Sequence, residues 1–239
     1  MPDIVTPPPV AAPPAKPKFN FPLPTVAIIG QSGTGKTTSY QNMPWEETLV
    51  IDTERKGFPF DAKNKFINYI EATSPMAVEQ AISKVKSNPG QIKYIILDSL
   101  YKYMEMQILE CKSAFKNYDI YNNYTARMRD FIKSLKNPNI IFIMIGVDEL
   151  VTLTDDGGKA TNLRRIATFG KELEAKWELE FLVVLYTAVK KKAGAEGMDY
   201  LFLTNTDGIA SAKSPAGMLP AQYIPNDLAT VVKAIRKTL

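Results

Sequence analysis

Residues 30–37, with the sequence GQSGTGKT, fit the phosphate-binding pattern G-x-x-x-x-G-K-[ST] at every position. Glycines in such a loop let the backbone curl so that its N–H groups point inward around a phosphate. Lys36 would reach the β- and γ-phosphate oxygens, and the hydroxyl of Thr37 would ligate Mg²⁺. The motif therefore predicts binding of ATP together with Mg²⁺. The residues expected to hold the nucleotide are Gly30, Gln31, Ser32, Gly33, Thr34, Gly35, Lys36, Thr37 and Thr38.

An acid at the end of an apolar stretch is the second chemical feature. The run KYIILD, residues 93–98, ends in Asp98. A buried strand that ends in an acid would place Asp98 where it holds Mg²⁺ through a water molecule. The alternative is that Asp98 caps the helix that follows. The next residue is Ser99, so the second acid that many ATPases carry at this point is missing.

If the chain hydrolyses ATP, the acid that acts on the attacking water must come from another strand. Asp52 and Glu54 follow the apolar run at residues 48–51. Because the carboxyl ends of parallel strands meet at one edge of a sheet, Glu54 would face the γ-phosphate beside Asp98. The alternative is that Glu54 is a surface acid balanced by Arg55 and Lys56.

Composition excludes several other chemistries. The chain has 239 residues, a formal net charge of +4, one cysteine and no histidine. Imidazole acid–base chemistry, a disulfide within the chain and a multi-thiolate zinc site are therefore impossible. No apolar run approaches the roughly 20 residues that cross a bilayer. We expect a soluble protein with no membrane partner, located in the cytoplasm, or in the host cytoplasm if the protein is viral.

The elements that must position these residues alternate along the chain. Residues 1–24 are rich in proline and predict a flexible arm, and residues 25–239 predict one core. Predicted strands lie at 25–30, 48–53, 93–98 and 139–146, with adjacent strands within 179–189 and 198–206. Predicted helices start near 36–42, cover 74–87 and much of 99–136, and continue at 171–177 and 225–239. Apolar strands separated by helices predict an α/β fold, a mostly parallel sheet with helices on both faces.

Taken together, the segments GQSGTGKTT, VIDTE and YIILDSL resemble the RecA superfamily of recombination ATPases. The resemblance implies a RecA-like P-loop core with a C-terminal antiparallel extension, and Glu54 as the catalytic base. The strand at 139–146 resembles the one that ends in a γ-phosphate sensor, although Asp148 and Glu149 lie where the family has an amide. The segment NTDGIASAKSP resembles the part that carries a lysine to a neighbouring subunit's nucleotide, with Lys213 as the candidate. The alternative for Lys213 is a surface lysine.

The short core and the proline-rich arm look most like the compact RecA-type ATPases of bacteriophages. That likeness implies single-stranded DNA as a partner, for annealing or recombination, and assembly into a homo-oligomer, either ring or filament. The arm ends in Phe19 and Phe21, which would either cover the edge of the first strand or dock on a neighbouring subunit.

Two stretches combine cations with features suited to DNA. Residues 111–136 interleave basic and aromatic residues, as in platforms for single strands. Residues 152–171 are polar and contain glycine, and they fall where the RecA family has a mobile DNA-contacting loop. The alternative for both is an ordinary packed or solvated face. The candidates are Lys112, Lys116, Tyr121, Tyr124, Arg127, Lys159, Arg164 and Arg165.

Other functions are compatible with a phosphate loop. An AAA+-type motor or helicase loader would need an Asp-Glu pair after the strand at 93–98 and a helical lid with a sensor arginine. A small-molecule kinase would need an arginine-rich lid and an acceptor pocket, neither of which the sequence indicates. A nucleotide-gated assembly protein without significant hydrolysis differs from the ATPase hypothesis only in whether Glu54 works.

Overall fold

The computed structural model describes residues 23–61, 68–154, 158, 160–170, 177–192, 194 and 196–238. The strands are β1 (Thr25–Ile29), β2 (Thr48–Asp52), β3 (Tyr69–Glu71), β4 (Tyr94–Asp98), β5 (Ile141–Gly146), β6 (Asp148–Thr154), β7 (Ala160–Ile166), β8 (Val183–Lys191), β9 (Met198–Leu203) and β10 (Tyr223–Pro225). The α-helices are α1 (Pro75–Ser87), α2 (Leu100–Ala114), α3 (Tyr118–Ser134) and α4 (Leu228–Thr238).

The central sheet has eight strands in the order β10-β9-β8-β1-β5-β4-β2-β3. The pairs from β8 to β3 are parallel, and β9 pairs antiparallel with both β8 and β10. Strands β1, β2, β4 and β5 are buried along their whole length, which explains their unbroken apolar runs. The predicted mostly parallel sheet with an antiparallel C-terminal extension is confirmed.

Helices cover both faces of this sheet, as predicted. One core cluster joins alternate strand residues such as Ile29 and Ile51 to residues of α1, α2 and α3. The other cluster joins the intervening strand residues, such as Ile28, to the apolar face of α4, including Val231. The period-2 alternation of side chains along each strand therefore divides the core into two layers.

The sheet order decides which strand ends meet. Strand β5 lies between β1 and β4, so the phosphate loop after β1 and Asp98 at the end of β4 are separated by one strand. Asp52 of β2 is in register with Asp98 of β4. The ends of β2 and β4 therefore lie on one side of β1, whereas β8, β9 and β10 lie on its other side.

One predicted element is wrong, and one stretch gains an element that the sequence did not predict. The helix expected from residues 36–42 is only a short 3₁₀ helix, Thr38–Tyr40, since Pro44 follows closely and disfavours helical backbone at the residue before it. The stretch at 152–171, which the resemblance equates with a DNA-contacting loop, contains much of an antiparallel hairpin, in which β6 and β7 pair from Asp148↔Ile166 to Thr154↔Ala160. Its contact with DNA stays a prediction.

Two other predictions lie mainly outside the described residues. Of the helix predicted at 171–177, Trp177 is described, and it starts a 3₁₀ helix, Trp177–Glu180. Of the arm, Leu23 pairs with Asn137; Phe19 and Phe21 lie outside, and the boundary between arm and core stays a prediction. Every helix among the described residues is too short or too polar to traverse a bilayer.

Candidate active site

The glycines of the loop at residues 30–37 are required by its surroundings. At Gly30, a Cβ atom would lie 1.7 Å from the Oγ1 atom of Thr187 on β8. At Gly35, the backbone has a φ of +88°, and a Cβ atom would lie 2.4 Å from the amide nitrogen of Asn226. Strand β8 and the chain after β10 thus pack directly on the loop, which only glycine permits.

The ammonium of Lys36 closes this loop by donating to the carbonyl oxygen of Gln31, at 2.8 Å. Burial lowers the pKa of Lys36, while the nearby carboxylates of Asp98, Asp148 and Glu54 act in the opposite direction. The cation therefore lies among three acids at the carboxyl edge of the sheet.

Asp98 is placed beside Thr37. The Oγ1 atom of Thr37 donates to Oδ2 of Asp98 at 2.9 Å, and the phenol of Tyr40 donates to the same oxygen at 2.8 Å. Burial raises the pKa of Asp98 to about 6, against the lowering effect of these two hydrogen bonds. The alternative role of Asp98 as a helix cap is wrong, because Ser99 is the N-cap of α2 and accepts from the N–H of Lys102.

These oxygens suit Mg²⁺. The hydroxyl of Thr37 and the carboxylate of Asp98 are hard ligands, and they already lie within hydrogen-bonding distance of each other. Among the described residues, no group of three or more His, Cys, Asp or Glu side chains could hold a metal ion. In nucleotide sites, Mg²⁺ commonly keeps several waters and takes further oxygens from the phosphates.

A tight turn after β2 presents Glu54 at the same edge. Oδ1 of Asp52 accepts the N–H groups of both Glu54 and Arg55 at 2.8 Å, and Oδ2 accepts the phenol of Tyr69 at 2.8 Å. This side-chain-to-backbone pattern fixes the direction in which the chain leaves the strand. Asp52 therefore builds the turn, and Glu54 is the acid it presents.

Glu54 is tied to the end of β4. The hydroxyl of Ser99 donates to Oε1 of Glu54 at 2.7 Å, and Lys56 forms an ion pair with Oε2 at 2.6 Å. Burial acts to raise the pKa of Glu54, but the hydrogen bonds from Lys56 and Ser99 outweigh it and hold the pKa below its usual value. Glu54 is therefore ionised near neutral pH. The pairing with Lys56 expected of a surface acid is present, but the carboxylate also accepts from Ser99 and interacts electrostatically with Lys36 of the loop.

The ends of β2 and β4 are further joined through backbone groups. The N–H of Thr53 donates to the carbonyl of Asp98 at 2.8 Å. The N–H of Ser99 donates to the hydroxyl of Thr53 at 2.9 Å. These bonds link the turn that carries Glu54 to the end of β4, where Asp98 lies.

The hairpin of β6 and β7 is anchored to the loop through a buried carboxylate. Asp148 is 5% exposed, and Gln31 donates its amide to both the carbonyl oxygen and Oδ1 of Asp148, each at 2.8 Å. Arg164 donates from Nε to Oδ2 of Asp148 at 2.6 Å and lies over the ring of Tyr186. The acid in the sensor-like position thus touches the loop through Gln31.

One predicted DNA-binding residue is wrong, and another is an internal ion-pair partner. Tyr124 is fully buried in the core against α2, so it cannot stack on a base. The guanidinium of Arg164 forms an ion pair with the buried carboxylate of Asp148, but the Arg164 side chain is 27% exposed, so its contact with DNA stays a prediction.

The other candidates lie in different settings. Lys112 and Lys116 are exposed, Tyr121 is 44% exposed, and Arg127 pairs with Glu110 at 3.3 Å. Arg165 is half-buried on β7. Lys159 lies outside the described residues.

Lys213 is brought next to β8, and not to the loop. Its backbone pairs with Val184 in both directions, at 2.8 and 2.9 Å. Burial lowers the pKa of Lys213, and Glu178 and Glu180 act against this. Its role toward a neighbouring subunit stays a prediction.

Sequence reasoning missed Tyr40 and the turn-forming role of Asp52. Aspartate side chains often accept the backbone N–H two residues further on and so favour turns, and this property of Asp52 could have revealed its turn-forming role. Tyr40 carries no such signal, because its phenol reaches Asp98 across 58 positions of the chain.

A comparison with protein families finds that a family model described as an AAA domain matches residues 24–215. The matched segment contains the phosphate loop, both acids, Ser99 and Asp148. A search among curated proteins finds no match to the chain.

Proposed function

This chain belongs to the AAA domain family, and on that premise we propose that it is a Mg²⁺-dependent ATPase of RecA type that assembles and acts on single-stranded DNA. Membership of the family suggests nucleotide binding and ATPase activity. The base assignment, the DNA partner and the assembly are our proposal. They are supported by the geometry of the site and by the RecA-like motifs of the sequence.

The observation that carries the ATPase proposal is the position of Glu54. Its carboxylate accepts from Ser99, the residue after Asp98, at 2.7 Å. Asp98 in turn accepts from Thr37 of the loop at 2.9 Å. The water-activating acid and the metal-holding acid are therefore joined to the loop by a continuous set of contacts, although they come from different strands.

The roles divide as follows. The backbone N–H groups of the loop and the ammonium of Lys36 bind the phosphates. Thr37 directly and Asp98 through a water molecule would hold Mg²⁺, which would neutralise charge that develops on the phosphate oxygens. Glu54 orients the attacking water and takes its proton, and the hydroxyl of Ser99 keeps the carboxylate in place. The products are ADP and inorganic phosphate.

Replacement of Glu54 by glutamine tests this assignment. Glutamine keeps an oxygen for the Ser99 hydroxyl but cannot accept the proton, so we expect turnover to fall by roughly 10²- to 10⁴-fold. The affinity for ATP, measured by calorimetry, is expected to stay within about two-fold, because Glu54 interacts with water and not with the phosphates.

The matched control is Glu105→Gln, which alters an acid that pairs with Lys102 on the surface of α2. It is expected to leave both turnover and affinity unchanged. Full turnover in Glu54→Gln would refute the base assignment. Normal ATP binding without turnover in the unaltered protein would instead favour a nucleotide-gated assembly protein.

Single-stranded DNA is proposed to bind where α2 meets α3. Lys112 and Lys116 are exposed there, Tyr118 is 85% exposed and Tyr121 is 44% exposed. Exposed rings next to cations suit stacking on bases and contact with phosphates.

The test is a fluorescence titration of a labelled single strand, with ATP turnover measured in parallel. We expect DNA to stimulate turnover, and Lys112→Ala with Lys116→Ala to weaken binding and to reduce its salt dependence. The control is Lys133→Ala, an exposed cation elsewhere on α3. Turnover that DNA leaves unchanged would contradict the DNA-dependent part of the proposal.

Assembly is the remaining part. RecA-type proteins place a cation at the nucleotide of the neighbouring subunit, and Lys213 is the candidate by resemblance. Light scattering with and without ATP is expected to show an ATP-dependent increase in mass, and Lys213→Ala is expected to lower turnover without lowering ATP affinity. A monomer that hydrolyses ATP at full rate would contradict assembly.

A motor or helicase loader is the other candidate, favoured by the description of the family as an AAA domain. Within the described part of the chain, however, the region after β8 consists of strands β9 and β10 and helix α4, where a helical lid was expected. Ser99 also lies where the Asp-Glu pair would place its glutamate. We therefore favour the RecA-type ATPase.

A further inference from the structure

The two ends of a bound nucleoside triphosphate must lie on opposite sides of β1. Glu54 and Asp98 act at the γ-phosphate, and they follow β2 and end β4, on one side of β1 in the sheet order. The loop after β1 holds the phosphates. The nucleoside end therefore points toward the other side, where β8, β9 and β10 lie.

Two side chains from that side touch the loop. Asn226, directly after β10, donates its amide to the carbonyl oxygen of Gly35 at 2.9 Å. The ring of Tyr200 on β9 lies 3.0 Å from the position a Cβ atom would take at Gly35. The N–H of Asn226 also donates to the carbonyl of Tyr200 at 3.1 Å, so the two residues form one corner beside the loop.

The ring of Tyr200 is available to a ligand. It lies on the same side of β9 as the buried Phe202, but near the outer end of that strand, and it is 47% exposed even though it touches the loop. A large flat ring in this state offers a stacking surface to any planar base, whichever base it is.

The amide of Asn226 has a fixed orientation. A carbonyl oxygen only accepts, so the amide nitrogen must be the atom that faces Gly35. The oxygen of the same amide is buried and finds no partner within the described part of the chain. Within the described part of the chain, the hydrogen bond of the Asn226 side chain is therefore the one it donates to the loop at Gly35.

We propose that Tyr200 and Asn226 form the nucleoside side of the site, with the Tyr200 ring stacked on the base and Asn226 acting as a positioning residue for Gly35. This inference rests on the proposed function, because it takes the ligand to be a nucleoside triphosphate. Tyr200 contributes affinity only for ligands that carry a base. Asn226 acts through the loop and so contributes to the binding of the phosphates.

Calorimetric titrations with ATP and with inorganic tripolyphosphate, both with Mg²⁺, separate these contributions. For Tyr200→Ala we expect ATP to bind roughly ten-fold more weakly, which corresponds to about 1.4 kcal/mol, with tripolyphosphate unchanged. Tyr200→Phe keeps the ring and is expected to bind both ligands normally. The control is Met76→Ala, a 65% exposed side chain at the start of α1, which should alter neither.

The second variant is Asn226→Ala, for which we expect ATP and tripolyphosphate to weaken by the same factor. A loss confined to ATP would overturn the positioning role. If Tyr200→Ala does not fold, as judged by circular dichroism, Tyr200→Leu replaces it, since leucine fills the space without offering a ring.

Two results would overturn the role of Tyr200: unchanged ATP affinity in the alanine or leucine variant, or equal weakening of both ligands. Either leaves the proposed function intact as long as the unaltered protein binds ATP. Failure of the unaltered protein to bind either ligand would instead refute the proposed function, so the two failures are distinguishable.

Discussion

Replacing Arg164 by alanine removes the cation that neutralises a buried carboxylate. Asp148 is 5% exposed, and it keeps the amide of Gln31 as a donor when Arg164 is absent. The lost contact is the 2.6 Å bond from Nε of Arg164, whose side chain is 27% exposed. The variant would thus leave a carboxylate largely shielded from water with a neutral partner only.

The expected cost follows from this burial. Removing one partner of a fully buried pair costs about 3–5 kcal/mol. Because Arg164 is partly exposed, water already screens part of its attraction to Asp148. We therefore expect the free energy of unfolding to fall by about 2–4 kcal/mol. For a chain of this length that corresponds to a decrease in Tm of roughly 5–15 °C.

Urea unfolding followed by circular dichroism measures this cost, and a double-mutant cycle isolates the pair. The cycle uses Arg164→Ala, Asp148→Asn and the double variant. Asparagine keeps an oxygen for Gln31 but carries no charge. Arg164→Ala should therefore lower the free energy of unfolding less in the Asp148→Asn protein than in the unaltered one. We expect a coupling free energy of about 1–3 kcal/mol between the two positions.

The control is Lys133→Ala, an exposed cation on α3, with an expected change within about 0.5 kcal/mol. A stability of Arg164→Ala equal to that of the unaltered protein, with zero coupling to Asp148, would refute the role assigned to this pair. If that variant instead lost affinity for single-stranded DNA at full stability, Arg164 would be the DNA-contacting cation that the sequence suggested.

Two further variants test the loop and a turn. Gly30→Ala should destabilise the protein and weaken ATP binding, because its Cβ atom would lie 1.7 Å from the Thr187 hydroxyl. Adding Thr187→Ala should restore part of the stability and part of the ATP affinity. Burial acts to raise the pKa of Asp207, but backbone N–H bonds from Ala210 and Ile209 hold it below its usual value. The stability that ionised Asp207 adds to the folded protein is fully present above the pKa of a free aspartate, about 3.9. It is lost as the pH falls through the lower pKa that Asp207 has in the folded protein. Urea unfolding of Asp207→Asn should therefore show a smaller loss of stability between about pH 5 and pH 3 than the unaltered protein.

Local patterns predicted the elements whose signal lies within a few residues. The strands ending in Asp52 and Asp98 were visible as apolar runs, since both faces of a parallel sheet are buried. The helix that begins after Ser74 was visible as a serine followed by proline; the serine side chain accepts the N–H of Ala77. The phosphate loop at 30–37 was recognisable because phosphate binding requires its glycines and its lysine at fixed spacings.

Local patterns failed where a distant residue decides the outcome. The spacing of Tyr124 did not show which side of α3 packs on α2, and that packing buries the ring completely. The sequence around Arg164 did not show that the hairpin pairs its positive charge with Asp148, 16 residues away. In both cases the partner, and not the residue's own neighbours in sequence, sets the environment.

The sequence alone therefore determined the chemistry on offer: a phosphate loop, an acid after each of two strands, and no imidazole. Only the tertiary structure decided how these parts meet. In the sheet, β5 lies between β1 and β4. Glu54 is hydrogen-bonded to Ser99, 45 positions away, and Asn226 to Gly35, 191 positions away. Residue type and spacing encode what a side chain can do, but burial and hydrogen bonds between remote segments depend on how the whole chain packs.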